Sequence, residues 1–422
     1  MTSYEEAVAI VLRYVEAMPA EDRPLPGCLG QVTAEDMRSG LSLPQTSIAG
    51  PDGYAVRSAD IAGASREAPA ILRVGETVRA GRIPRREVKA GTAARVMTGS
   101  VFPRGADCVV RFEDTDEPPD KNGPNRNRPK RVRVYVAEKA GANLRRAGSA
   151  VKRSALVVPK GTVIGPAQIS ALTAIGTTSL KVIRRPVVAV IATGDELVST
   201  GKPLIPGRTY NSNTAALVAL VTHYGGIPKV LGIARDRQES LRLKLSCGLA
   251  AADAILTSGG VSKGDFDLVR LVLGTMGKVL FSRIRLGPGV AFSFGMLGRE
   301  SSAGKSVPVP VFALSGPSAG CMINFEALVR PALLRMLGHT SLRHPEVEAI
   351  ALDAAAVKRP LPFVLWTKLE QVEGRYRVTL NEANGPGFLP QLASANSFTI
   401  LPEKSTIDPG DKVRVWPLSW SS

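Results

Sequence analysis

VVAVIATGDEL (residues 187–197), DAILTSGGVSKGDFD (253–267) and VPVFALSGPSAG (309–320) each carry an apolar run into a turn of small and acidic residues. Parallel strands whose carboxyl ends feed loops have this pattern, and in open α/β sheets those loops form the ligand crevice. Between and around the runs, strand and helix patterns alternate from about Arg185 to Leu337: VVAVIA then NTAALVALVTHYG, PKVLGIA then RQESLRLKLSCGLA, DAILTS then DFDLVRLVLGTM, and VPVFAL then AGCMINFEALVRPALLRM. Regular alternation predicts a parallel sheet covered by helices on both faces.

The turns themselves point to a phosphorylated ligand. Glycine lets the backbone approach a phosphate and expose its N–H groups, and Glu196, Asp265 and Asp267 are hard oxygen ligands suited to Mg²⁺. Neither GxGxxG nor GxxxxGK[ST] is present, so the pattern alone leaves open loops that merely cap helices.

Working outward, the rest of the chain changes character twice. From about Leu43 to Glu138 it breaks into short β-branched runs separated by Gly and Pro (AILRVGETVRAG, AARVMTG, ADCVVRFED, RVRVYV), which predict an all-β insert. After His339 come VLWTKLEQ, RYRVTL, SFTILPE and KVRVWPL, which predict a small β-barrel or sandwich. Helical spacing spans residues 4–18, a second start signal lies at 33–38, and helical periodicity returns at 165–180. The expected division is residues 1–43 with 139–183 as a helical linking domain, 44–138 as the β insert, 184–338 as the α/β domain and 339–422 as the C-terminal barrel.

Composition narrows the function classes. With 422 residues, 44% hydrophobic and 22% charged, the chain is an ordinary multidomain globular one. No apolar run reaches the roughly 18 to 20 residues of a membrane span, and the amino terminus lacks a secretory pattern, so a cytoplasmic protein without a membrane partner is expected. Cys28, Cys108, Cys247 and Cys321 show no metal-like spacing and are read as buried free thiols. His223, His339 and His344 have no ligand-like neighbour, which argues against zinc or a histidine triad. The net charge of +17 favours anionic ligands and acidic partners. Its densest run, 121–133, lacks aromatic residues for base stacking and is read as a solvated hairpin tip, which disfavours nucleic acid as a partner.

Read together and in order, seven motifs resemble the molybdopterin molybdenumtransferase family, which includes the E domain of gephyrin: PDGYAVRSADIAG (51–63), GTAARVMTGSVFPRGADCVV (91–110), GANLRRAG (141–148), TGDELVSTGKPL (193–204), YNSNT (210–214), GIARD (232–236) and SGGVSKGDFD (258–267). The resemblance implies an elongated homodimer with the active site between the α/β domain of one subunit and the β insert of the other, and contacts with cofactor-pathway proteins. It implies a reaction in which adenylylated molybdopterin and molybdate, with a divalent cation, give AMP and a molybdenum-loaded dithiolene. Carried over by motif, Asp52, Asp236, Glu196 and Asp267 are the expected catalytic residues, with Glu196 and Asp267 holding Mg²⁺. Thr98, Thr193, Gly194, Asp195, Asn213, Ser258, Gly259, Gly260, Ser262, Asp265, Ser315 and Gly316 are the expected cofactor-binding set. The functional reading comes first for both, with the alternative that Asp52 in Pro-Asp-Gly simply builds a turn and that Asp236 before a helix is an N-cap.

The chain departs from the family pattern at one turn above all. A lysine-bearing KPGKP is replaced by Gly287-Pro288-Gly289-Val290-Ala291, and PGNP by Ser315-Gly316-Pro317-Ser318. Leu361-Pro362-Phe363 stands where the family supplies an arginine. A tetrahedral dianion is held by cations and N–H donors, so a weak oxyanion site is expected, and restoring lysines at 287 and 290 is expected to strengthen it. A non-catalytic paralogue that binds the pterin nucleotide as carrier or scaffold is the alternative reading.

Overall fold

The computed structural model describes residues 1–421 apart from 118–128, 261–267, 301–305 and 381–388. The chain divides into two compact units, one of Met1–Glu35, Lys160–Pro166 and Ser179–Ser422, the other of Asp36–Pro159 and Ala167–Thr178. Helix α1 (Tyr4–Tyr14) opens the first unit, capped by Ser3, whose hydroxyl accepts the Glu6 N–H at 3.1 Å. The helix expected after Thr33 does not form. Thr33 instead donates its hydroxyl to the Glu35 carbonyl, and the Ala34 N–H pairs with the Lys181 carbonyl at 2.8 Å. A strand-like partner thus satisfies the backbone that the helix was expected to satisfy.

The second unit is built on a five-stranded sheet. Its strands are β1 (Gly53–Val56), β2 (Ala70–Val78), β3 (Thr92–Val96), β4 (Cys108–Arg111) and β5 (Arg131–Val134), in the order β4-β1-β3-β2-β5. The expected hairpin tip lies mostly outside the described residues, and β5 at its end pairs antiparallel with β2. Alternation along the strands sends Tyr54, Leu72, Val110, Val132 and Val134 into one apolar cluster and Ala55, Val78, Ala94, Val96 and Val109 into another on the opposite face. Helix α2 (Pro166–Ala174) ends two residues before Gly176, whose φ of 83° suits glycine.

The first unit holds the α/β sheet. Strands β6 (Val187–Thr193), β7 (Ile227–Ala234), β8 (Ala254–Ser258), β9 (Gly277–Ser282), β10 (Ser293–Glu300) and β11 (Ser306–Leu314) lie in the order β7-β6-β8-β11-β10-β9. The first four in that order are parallel, while β10 runs antiparallel to both its neighbours, β11 and β9. The sheet is therefore mixed rather than wholly parallel. Residues 277–300 carry no helical stretch between them, and a short connection can only join strands antiparallel. Helices α3 (Ser212–His223), α6 (Ser318–Asn324) and α7 (Arg330–Met336) pack with α1 on the face of Val188, Val190, Leu256 and Phe312. Helices α4 (Gln238–Ala251) and α5 (Leu268–Met276) cover the face of Ala189, Ile191, Ile255 and Val311. Burial on both faces explains why these strands read as unbroken apolar runs.

Strands β12 (Val347–Ala351), β13 (Phe363–Val372), β14 (Arg375–Thr379), β15 (Ser397–Leu401) and β16 (Lys412–Pro417) close a barrel in the order β12-β14-β13-β15-β16. Glu326, on the π-helical turn Phe325–Val329, is buried with its carboxylate accepting from Tyr224 at 2.9 Å and from Trp420 Nε1 at 2.6 Å. Cys28, Cys108 and Cys321 are buried as expected, and burial pushes Cys108 and Cys321 up to about 12. Cys247 is exposed, on the outer face of α4.

Candidate functional site

The carboxyl ends of β6, β8 and β11 bring the expected glycine turns together. Thr193, ending β6, donates its hydroxyl to the Ser258 carbonyl at 3.2 Å, and the Gly259 N–H reaches the Leu314 carbonyl at 3.1 Å. Gly259 and Gly260 hold φ of 86° and 69°. A β-carbon at 259 would stand 2.6 Å from the Thr193 carbonyl oxygen, and one at 260 would stand 2.7 Å from Thr193 Oγ1. Both conformation and space demand glycine there. Across the same edge, a β-carbon on Gly316 would stand 3.7 Å from the Gly259 Cα.

Helix α3 begins at this edge. Asn211 caps it by accepting the Thr214 N–H at 3.2 Å, Asn213 Nδ2 donates to the Gly316 carbonyl at 2.8 Å, and Ser212 Oγ lies 3.2 Å from Ser318 Oγ. Asn213 Oδ1 is buried without a partner among the described residues. Ser315 donates its hydroxyl to the Ala291 carbonyl at 2.8 Å, and its N–H to Asn324 Oδ1 at 3.0 Å. Asn324, fully buried, donates in turn to the Gly289 carbonyl at 2.9 Å. The Gly287–Ala291 turn is thereby tied to the same strand ends. Sequence reasoning missed Asn324, which sits inside an apolar helix run whose single amide was the available signal.

Two acidic turns flank these glycines. The Asp236 carboxylate accepts the Asp195 N–H at 3.1 Å, and the Asp195 carboxylate accepts the Asp236 N–H at 3.4 Å, which locks the ends of β6 and β7 together. Asp236 does not cap α4, whose cap residue is Arg237. Arg235 and Arg208 both donate to the Asp195 carbonyl, the former at 3.2 Å, and neither was expected at the site. The Glu196 carboxylate folds back over Gly194 and is exposed, with no hydrogen bond from any described group. A hard carboxylate without a described partner, beside these glycine turns, has the chemistry of an oxygen ligand to a divalent cation. Ser262, Asp265 and Asp267 lie outside the described residues, and no cluster of three metal-ligating side chains occurs among those described.

In the second unit, Asp52 and Thr98 meet directly. Asp52 Oδ1 accepts the Thr98 N–H at 2.6 Å and the Thr98 hydroxyl at 2.9 Å, and both residues are exposed. The carboxylate thus bridges two loops of the sheet, beyond building its own Pro-Asp-Gly turn, and keeps Oδ2 free of described partners.

A doubly covered α/β sheet with glycine turns at its strand ends, in one chain with a β-sheet unit and a closed barrel, defines a multidomain α/β protein of the class whose ligand crevice lies at the carboxyl ends of the strands. Family models match in the same order: MoeA N-terminal region (domain I and II) over residues 2–176, "Probable molybdopterin binding domain" over 189–335, and MoeA C-terminal region (domain IV) over 348–418. A molybdopterin molybdenumtransferase of Bacillus subtilis is 31% identical over 408 residues, spanning 94% of this chain and 89% of its own. Molybdopterin molybdenumtransferase 2 of Mycobacterium tuberculosis is 30% identical over 428 residues, spanning 99% and 100%. Two solved structures of the molybdopterin biosynthesis MoeA protein from Pyrococcus horikoshii superpose with TM-scores of 0.82 and 0.78, at 30% and 26% identity, covering 100% and 99% of this chain and 100% of each of theirs. The chain belongs to the molybdopterin molybdenumtransferase family, whose members are transferases of molybdenum cofactor biosynthesis. No helix of the described residues is long and apolar enough to cross a membrane.

Proposed function

We propose that this chain transfers molybdenum to molybdopterin, taking adenylylated molybdopterin and molybdate as substrates with Mg²⁺ and releasing AMP, as a cytoplasmic homodimer of four-domain protomers. The convergence of Thr193, Gly194, Gly259, Gly260, Ser315 and Gly316 at one sheet edge carries this reading, because the backbone comes close there without side chains in the way and the Gly260 and Gly316 N–H groups, bonded to no described group, suit the phosphates of an adenylylated pterin. Asn213, with its unpartnered Oδ1, is an acceptor available to the pterin or nucleotide base. Glu196, together with Asp267, would hold Mg²⁺, which when bound neutralises charge on the phosphoryl group as AMP leaves. Asp236 and Asp195 hold the two loops at fixed separation, and Asp52, oriented by Thr98, is the carboxylate supplied by the second subunit.

The test is AMP formation by the purified protein from adenylylated molybdopterin, with and without molybdate. Molybdate-dependent AMP release supports the transferase. Binding of the nucleotide with no AMP release at any molybdate concentration would favour the carrier reading instead. One observation favours that second reading: the turn at Gly287–Ala291 offers no cationic side chain, and Arg285 beside it is paired with Glu403.

A further inference from the structure

One face of the five-stranded sheet in the second unit has two unlike halves. Over β1, β3 and β4 it is covered, with Ala55, Val78, Ala94, Val96 and Val109 packed against Ala49, Val88 and Phe102. At the β2–β5 end the same alternation that buries Leu72 and Val132 turns Ile71, Arg73, Arg131 and Arg133 outward. Register sets Ile71 opposite Arg133 and Arg73 opposite Arg131, so the four side chains form one contiguous patch. All four are exposed, Ile71 to 57%.

The seam between the halves holds a cleft of about 420 Å³ lined by Arg73, Glu76, Arg86, Lys89 and Thr92 among others. Arg86 brings the end of the segment RAGRIPRR (79–86) to its rim, and Ile83 in that segment is 82% exposed. Both Glu76 oxygens are taken by this rim, accepting the Arg85 and Arg86 N–H groups at 3.2 and 2.9 Å, and Arg86 donates to the Gly75 carbonyl at 3.0 Å. The rim is therefore held against β2. No described carboxylate forms an ion pair with the guanidinium of Arg73, Arg82, Arg85, Arg131 or Arg133, although the Asp116 carboxylate accepts the Arg133 backbone N–H at 2.8 Å. Residues Asp36–Pro159 carry 23 Lys and Arg against 13 Asp and Glu, more than half of the chain's excess of +17.

We propose that this face docks an acidic, amphipathic segment of a partner protein, its carboxylates on Arg73, Arg131 and Arg133 and an apolar side chain against Ile71. Uncompensated arginines around exposed aliphatic side chains match the composition of protein-binding surfaces, in which arginine is enriched. Bases would instead call for aromatic platforms, and the exposed apolar groups here are isoleucines. Exposed charge pairs are each weak and screened by salt, so the contact is modest in affinity and strongly salt-dependent.

The full-length protein is titrated into a fluorescein-labelled peptide of alternating glutamate and leucine, and into a labelled single-stranded oligonucleotide, with anisotropy as readout. Tighter binding of the peptide is expected, weakened at least tenfold in the Arg73→Glu, Arg133→Glu variant and severalfold in Ile71→Asp. The gentler Arg131→Gln, Arg133→Gln variant reads the same face without adding negative charge, and it too is expected to bind more weakly. Unchanged peptide affinity in these variants, or tighter binding of the oligonucleotide, overturns the proposal, the latter making the face a nucleic-acid surface.

Discussion

Phe363 fills the space that a side chain at Gly287 would need: a β-carbon there would stand 2.7 Å from Phe363 Cδ2 and 2.9 Å from Cε2. The two residues are also stitched through the backbone, with Gly287 N–H donating to the Pro362 carbonyl at 2.9 Å and Val364 N–H donating to the Gly287 carbonyl. The missing lysine and the phenylalanine are thus one arrangement. Gly287→Lys is expected to destabilise the protein by about 1–3 kcal/mol through overpacking, which revises the expectation that a lysine is simply restored there. Val290, half-buried on the same turn, has room that Gly287 lacks. Val290→Lys is expected to tighten molybdate binding by about 1.5–3 kcal/mol, the worth of one charge-assisted bond. Calorimetric titration with molybdate and urea denaturation check both variants, and micromolar molybdate binding by the unaltered protein would contradict the weak-site reading.

On the proposed function, Glu196→Ala is expected to weaken Mg²⁺-dependent binding of a pterin or adenine nucleotide at least tenfold, because it would remove one of the two carboxylates proposed to hold the cation. Binding measured without Mg²⁺ is expected to change little. A drop of equal size in both conditions would assign Glu196 to the nucleotide rather than the cation.

Mixing Asp52→Ala subunits with Glu196→Ala subunits is expected to restore part of the activity, since one site of each mixed dimer would then be whole. Thr98→Val, which removes one of the two bonds orienting Asp52, is expected to lower kcat more than it raises KM. Mixed dimers, isolated with two affinity tags, that remain inactive would make each subunit self-contained.

Asp253 links acid to stability. Burial opposes its ionisation, but hydrogen bonds from Arg184 and the Val187 N–H, with the charges of Arg184 and Arg299, outweigh it and hold its pKa below the usual value. The unfolded chain therefore takes up this proton more readily, and the stabilisation, full above about pH 4, is lost as pH falls through the folded-state pKa. Asp253→Asn is expected to cost about 2 kcal/mol near neutral pH, with the gap to the parent narrowing in acid. Urea denaturation across a pH series measures it.

How far the sequence reached depended on whether the cause was local. The glycine turns at 194 and 259–260 were legible because a positive φ is a demand of the residue's own backbone, and the parallel strands were legible because burial on both faces leaves continuous apolar runs. The antiparallel pair β9 and β10 was missed, since a sheet's edge is set by connection geometry rather than composition. The helix expected at Thr33 failed because its backbone finds a strand far along the chain, at Lys181. Asn324, Arg208 and Arg235 act through carbonyls contributed by distant turns, and no spacing announces such partners.

The pairing of Ala20–Pro24 with Ser179–Ile183 carries a consequence for how the molecule is made. On the ribosome, the amino-terminal strand emerges long before its mate has been translated, and everything from Asp36 to Pro159 must pass in between. That intervening stretch pairs strands among its own residues and has what it needs to fold as it appears. Completing it early shortens the effective loop that the two outer strands must close, whose entropy cost in any case grows only logarithmically with length. Nascent chains stalled before residue 179 should therefore already protect the β2–β5 hydrogen bonds from exchange while Ala20–Pro24 remains open.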